Sequence, residues 1–147
     1  MTDLLVRYFH FLGIFVWVGA LGVEAILLAD QLSRRTLRQL LRIDRVYGLA
    51  AIIVVATGLL QWFVVGKPAE FYTPNPLFHT KVGLAILVGL LSIYPSIFFS
   101  KNSKGEDVEI MVAVPKRVRQ LVYWQLLLMA LIPLLAVLMA AGVGYAR

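Results

Sequence analysis

The sequence predicts an all-α protein, a four-helix transmembrane bundle, and three observations carry that prediction. Apolar residues make up 61% of the 147-residue chain, against about 45–50% in an average soluble domain. They fall into four runs, about residues 8–29, 46–65, 77–99 and 121–143, each near the roughly 20 residues that cross a ~30 Å hydrocarbon core as a helix. Basic residues crowd the first and third connections, as Arg34, Arg35, Arg38, Arg42 and Arg45, then Lys101, Lys104, Lys116, Arg117 and Arg119. The rest of the chain has only Arg7, Lys67, Lys81 and Arg147, a split of ten against four. The positive-inside rule then puts both basic connections in the cytoplasm, an N-out/C-out topology. In a bacterial host this is a multi-pass protein of the inner (cytoplasmic) membrane, one integral membrane domain over residues 1–147.

The net charge of +6 follows from that topology and from attraction to anionic headgroups, so the expected partner is the lipid bilayer and not nucleic acid. Cysteine is absent, which excludes disulfides, thiolate catalysis and soft thiolate metal sites.

The first run, from Tyr8 to Leu28, is too long for a signal-peptide core and has no basic flank followed by a small-residue cleavage site, so it is expected to be retained. His10, Trp17 and Glu24 recur every seven residues with Gly13 and Ala20 between them, a stripe on one helical face. The next segment, QLSRRTLRQLLRID, places leucines 32, 37, 40 and 41 among arginines and predicts a short amphipathic cytoplasmic segment between helices 1 and 2. Helix 2 carries the stripe Tyr47, Ala51, Val54, Gly58 and Gln61 or Trp62, with small residues where a neighbour can approach.

Prolines at 68, 74 and 76 bracket a compact outer loop in which Phe71, Tyr72 and Phe78 suit the interface. Helix 3 should kink or end early at Pro95. The mixed-charge segment 101–120 is expected to be partly mobile, with Pro115 near the start of helix 4. That helix holds Gln125 and Pro133. The two halves share no repeat, so an inverted-repeat transporter is not supported.

Ionisable residues at membrane depth are site candidates, because burying them is expensive. Topology sorts them into two layers. The outer layer holds His10, His79, Lys81, Gln61 and Trp62 and has the composition of a haem or metal site. Neutral imidazole is a common metal and haem ligand, so His10 is the candidate metal ligand. Lys81 is its candidate partner, Trp17 and Phe11 would flank a porphyrin face, and Gln61 is placed to orient the ligand. His79, next to the outer loop, reads as interfacial. The inner layer holds Glu24, Asp44, Arg45, Tyr47, Tyr123 and Gln125, with Glu24 expected to pair with Arg45 or with a tyrosine or glutamine. A structural staple and a proton-handling or quinone-access site both fit that layer. The scattered methionines do not form a copper site.

His10 early in helix 1, RVYGLAAIIVVATGLL in helix 2 and Phe78-His79-Thr80-Lys81 opening helix 3 together resemble the HemJ-type protoporphyrinogen oxidases and their CopD-like relatives. From end to end the chain is more similar to an uncharacterised family of bacterial four-helix integral membrane proteins, through the segments Leu37 to Leu49 and Asn75 to Leu84. The HemJ-type resemblance implies haem b, with His10 as an axial ligand and Lys81 as an essential partner, and a redox role toward a quinone or porphyrin. The chain differs from that pattern at the end of helix 1, Glu24-Ala25-Ile26-Leu27-Leu28, and in helix 4, which lacks an asparagine–glutamate element. The alternative is a cofactor-free accessory or assembly subunit, in homo-oligomeric form or with other chains, whose charged layers are structural.

Overall fold

The computed structural model describes residues 1–65 and 76–142. In chain order the elements are α1 (Thr2–Leu27), β1 (Gln31–Ser33), α2 (Arg34–Leu60) with a π-helical turn after it (Gln61–Val65), α3 (Pro76–Leu91), α4 (Ile93–Asn102), β2 (Met111–Ala113) and α5 (Lys116–Ala140). Four stretches are long and apolar enough to cross a membrane: Thr2–Leu27, Arg34–Phe63, His79–Asn102 and Lys116–Leu138. The proline-bracketed outer loop, with Lys67, Phe71 and Tyr72, lies outside the described residues, as do Arg147 and the side chain of Phe78.

α1 turns the expected stripe inward, burying Gly13, Trp17, Ala20, Leu21 and Glu24. Its other faces are left for lipid, with Phe15 74% and Ile26 83% exposed. The helix stops at Leu28, whose N–H still reaches the Glu24 carbonyl at 3.0 Å while its own backbone turns extended.

The amphipathic segment is present but is not a separate piece. It forms the first turns of α2. Ser33 caps that helix, its Oγ accepting from the Thr36 N–H at 3.2 Å. No glycine or proline interrupts the chain from Thr36 to Tyr47, so the helix propagates straight into the membrane span. Leu37 and Leu40 are fully buried. At 27 residues and 1.5 Å per residue, α2 is about 40 Å long, some 10 Å more than the hydrocarbon core. Its basic end therefore projects beyond the apolar slab.

Gly13 sets how closely α1 lies on α2. A Cβ at this position would sit 3.0 Å from Val54 Cγ2, so the bare backbone admits the neighbouring helix. The third span breaks in two. Pro95 has no N–H for the Leu91 carbonyl and its ring crowds that turn. The break appears at Ser92, whose N–H is shared between the carbonyls of Val88 (3.1 Å) and Gly89 (3.3 Å). Pro133, by contrast, sits inside an unbroken α5. The helices close in chain order: α1 packs on α2, α2 on α4, α3 and α4 on α5, and α5 back on α1.

The loop expected to be partly mobile is instead pinned. β1 and β2 form an antiparallel ribbon with Leu32 opposite Val112. It is extended on either side by Val114 N–H to Asp30 O (2.8 Å) and Arg34 N–H to Ile110 O (2.9 Å). Arg34 donates to the Asp107 carbonyl at 2.9 Å, Arg38 to the carbonyls of Ser103 (3.0 Å) and Gly105, and Arg119 pairs with Asp30 at 2.5 Å. Gly105 takes a positive φ of 134°, and a Cβ there would collide with the Arg34 guanidinium. The best-buried apolar side chains, among them Leu21, Leu37, Leu40, Phe99, Val118 and Val122, lie toward this basic half.

Candidate functional site

Two groups of polar side chains stand inside the bundle, one near the basic end and one toward the opposite end. The first is assembled from α1, α2, α4 and α5. The Tyr47 hydroxyl donates to Gln125 Oε1 at 2.7 Å, and both residues are buried, Gln125 to 1% exposure. Trp17 packs edge-on against Tyr47, with ring centroids 5.9 Å apart and an interplanar angle of 76°. Ser96 donates to Asp44 Oδ2 at 2.6 Å.

Glu24, 2% exposed, does not meet Arg45. Its carboxyl lies against that of Asp44, and its Oε1 finds no hydrogen-bond partner among the described residues. Arg45 is exposed, and among the described residues no ion pair reaches Glu24. Helical geometry explains the correction. Asp44 and Arg45 are about 100° apart around α2, so the face that turns Tyr47 inward carries Asp44 with it and sends Arg45 outward. Tyr123, another candidate for this layer, is 53% exposed.

Trp17 belongs to this inner group and not to the outer one. Its indole N–H has no hydrogen-bond partner among the described residues, and its ring is taken up by Tyr47. It flanks nothing near His10. Phe11, the other proposed flanking ring, is 61% exposed. Ser96 was missed in the sequence, because a single serine in an apolar run gives no period from which its facing can be read.

The second group centres on His10. Its Nδ1 lies 2.8 Å from Thr57 Oγ1, and the Thr57 hydroxyl is itself 2.6 Å from the Ile53 carbonyl. A threonine hydroxyl has one proton. With that proton given to Ile53, the imidazole N–H must be on Nδ1 and the lone pair on Nε2. Gly58 makes room for the ring, since a Cβ there would approach His10 Cε1 to 3.4 Å. Lys81, half-buried, is near enough for its charge to act on His10. No hydrogen bond joins the two side chains among the described residues.

The orienting partner of His10 is Thr57, one turn before the expected Gln61. Gln61 opens the π-helical turn Gln61–Val65. His79 is exposed and its ring meets Trp62 edge-on at 6.3 Å, which joins the start of the third span to the end of the second.

Chemically, the outer group offers one nitrogen ligand held in orientation by a hydroxyl, with an amine nearby. It is not a multidentate metal cage: among the described residues no three His, Cys, Asp or Glu side chains gather where they could share an ion. The inner group is a largely satisfied polar lock between helices with one carboxylate oxygen and one indole N–H left over. No curated protein and no solved structure matches the chain. Residues 2–144 match the model of a family described as predicted membrane protein (DUF2214), and the chain belongs to that family.

Proposed function

We propose that this integral membrane protein binds haem b through His10, as a redox protein of the bacterial inner membrane whose basic end faces the cytoplasm. The observation that supports the reading is the position of the His10 ring, whose Nδ1 lies 2.8 Å from Thr57 Oγ1. With the Thr57 proton on the Ile53 carbonyl, Nδ1 is the protonated nitrogen and Nε2 would keep the lone pair that an axial ligand needs. Metal-bound histidines characteristically donate their other ring nitrogen to a neighbouring acceptor, which fixes tautomer and direction. Lys81 would pair with a propionate or, as the free amine, supply a second ligand. Haem, when bound, supplies one-electron chemistry, with a quinone or a porphyrin as the expected redox partner. The chain's own residues hold and orient the ligand, and the apolar faces of α1 and α2 keep water away from it.

The test is an absorption spectrum of the protein purified from cells with ample haem. A Soret band is expected; His10→Ala abolishes it or shifts it grossly, Lys81→Ala weakens or alters it, and His79→Ala leaves it in place. A colourless parent protein overturns the reading. Reporter fusions in the connections around Arg38 and Lys104 test the orientation, which predicts a cytoplasmic signal from both.

The second reading, a cofactor-free accessory subunit, is favoured by the inner group. There Tyr47 and Gln125 satisfy each other and tie α2 to α5, as a structural staple would. The same spectrum separates the two.

A further inference from the structure

The first turns of α2 carry a feature that neither reading uses. Arg35, Arg38, Gln39 and Arg42 follow one another at helical spacing on a single face, and with Val108 of the pinned loop they line a groove of about 250 Å³. The groove belongs to the part of α2 that projects past the apolar slab, because the apolar run begins only at Val46. It therefore opens at the level of the headgroups.

Its charges are unevenly cancelled. Arg35 is neutralised by Glu109, Nη2 to Oε1 at 2.6 Å. Arg38 is held by the carbonyls of Ser103 and Gly105, which fix the guanidinium without removing its charge. Arg42 makes no hydrogen bond or ion pair among the described residues. The carboxylate of Asp107 turns back to accept the Glu109 N–H at 3.0 Å, and Glu106 is exposed on the loop. Two guanidinium charges thus face a cavity with no carboxylate of their own. The β-ribbon holds the far wall in place before any ligand arrives, which lowers the ordering cost of binding.

We infer that the groove of Arg35, Arg38, Gln39 and Arg42 is a binding site for a phosphate group, carried either by an anionic lipid headgroup or by a soluble phosphate. Guanidinium groups recognise phosphate oxygens through paired, charge-assisted hydrogen bonds. Arg38 supplies a fixed cation, Arg42 a free one that can swing onto the ligand, and Gln39 an amide donor between them.

The test uses the full-length protein in detergent and measures retention of phosphatidylglycerol against phosphatidylcholine by native mass spectrometry, with calorimetric titration of inorganic phosphate alongside. The variants are Arg42→Gln, which disturbs no bond of the fold, and Arg117→Gln, which removes a charge at the same end but outside the groove, where Arg117 lies over the Tyr94 ring at 5.8 Å. One saturable phosphatidylglycerol, weakened about tenfold by Arg42→Gln and unchanged by Arg117→Gln, supports the site with a lipid as its source. Saturable inorganic phosphate with the same variant pattern supports a soluble source. Equal weakening by both variants means diffuse interfacial charge, and that result, or no binding of either probe, overturns the site.

Discussion

Tyr47 and Gln125 are joined by a 2.7 Å hydrogen bond across the interior of the bundle, and both side chains are withdrawn from solvent and lipid. Tyr47→Phe leaves the Gln125 amide buried without its partner, at a cost of about 1–3 kcal/mol. The melting temperature in detergent should fall, and Gln125→Leu should lower it likewise. The double variant should lose less than the two single losses together, since removing both partners leaves no orphaned group. Strict additivity would show that the bond does not couple the two helices.

Glu24 faces Asp44 and not Arg45, and three substitutions separate the two arrangements. Glu24→Ala should reduce thermal stability by about 1–3 kcal/mol through lost packing and a disrupted polar group. Glu24→Gln keeps the shape and brings an N–H donor for Asp44, so it should retain the parent melting temperature. Arg45→Ala, on an exposed face, should change stability by no more than about 0.5 kcal/mol. A large loss on Arg45→Ala would restore the ion pair that this geometry excludes.

Thr57 sets the direction of the His10 ring. In the haem-loaded protein, Thr57→Val should keep the Soret band but lower haem affinity roughly tenfold or more, as loss of a ligand's orienting partner does. Thr57→Ser should restore it. Identical haem titrations for valine and threonine would mean that the hydroxyl has no part in ligation.

Gly105 combines a positive φ with close contact to Arg34. Gly105→Ala should release the loop at a local cost of about 1–3 kcal/mol. Limited proteolysis should then cut between residues 103 and 110 while the spans stay intact. The exposed Arg35–Glu109 pair is worth little by comparison, and Glu109→Gln should leave the cleavage pattern as in the parent.

The spans and their inner faces were legible because apolar length and helical period are strong signals. The stripe Gly13, Trp17, Ala20 and Glu24 is buried as read, and Tyr47 and Val54 mark the inner face of α2. Pairing across helices was not legible. Choosing Asp44 over Arg45 for Glu24 depends on how α1 and α2 cross, and two adjacent residues give no period to read. Trp17 looked like a ring for the outer group because it shares a stripe with His10, yet seven residues along a helix is about 10 Å, and Tyr47 takes it at that depth. The ribbon escaped notice because three-residue strands are too short for an alternating pattern to declare itself. Thr57 was overlooked beside Gly58, since a threonine bonded to its own helix carbonyl looks inert until a histidine arrives from the neighbouring helix.

The β1–β2 pairing has a mechanical consequence. Two helical hairpins, α1 with α2 and α4 with α5, are clasped at the basic end by one short ribbon. At the opposite end the edge-on contact of His79 with Trp62 ties the third span to the second. The two arms are therefore braced at both ends, as a frame is, and not hinged at one.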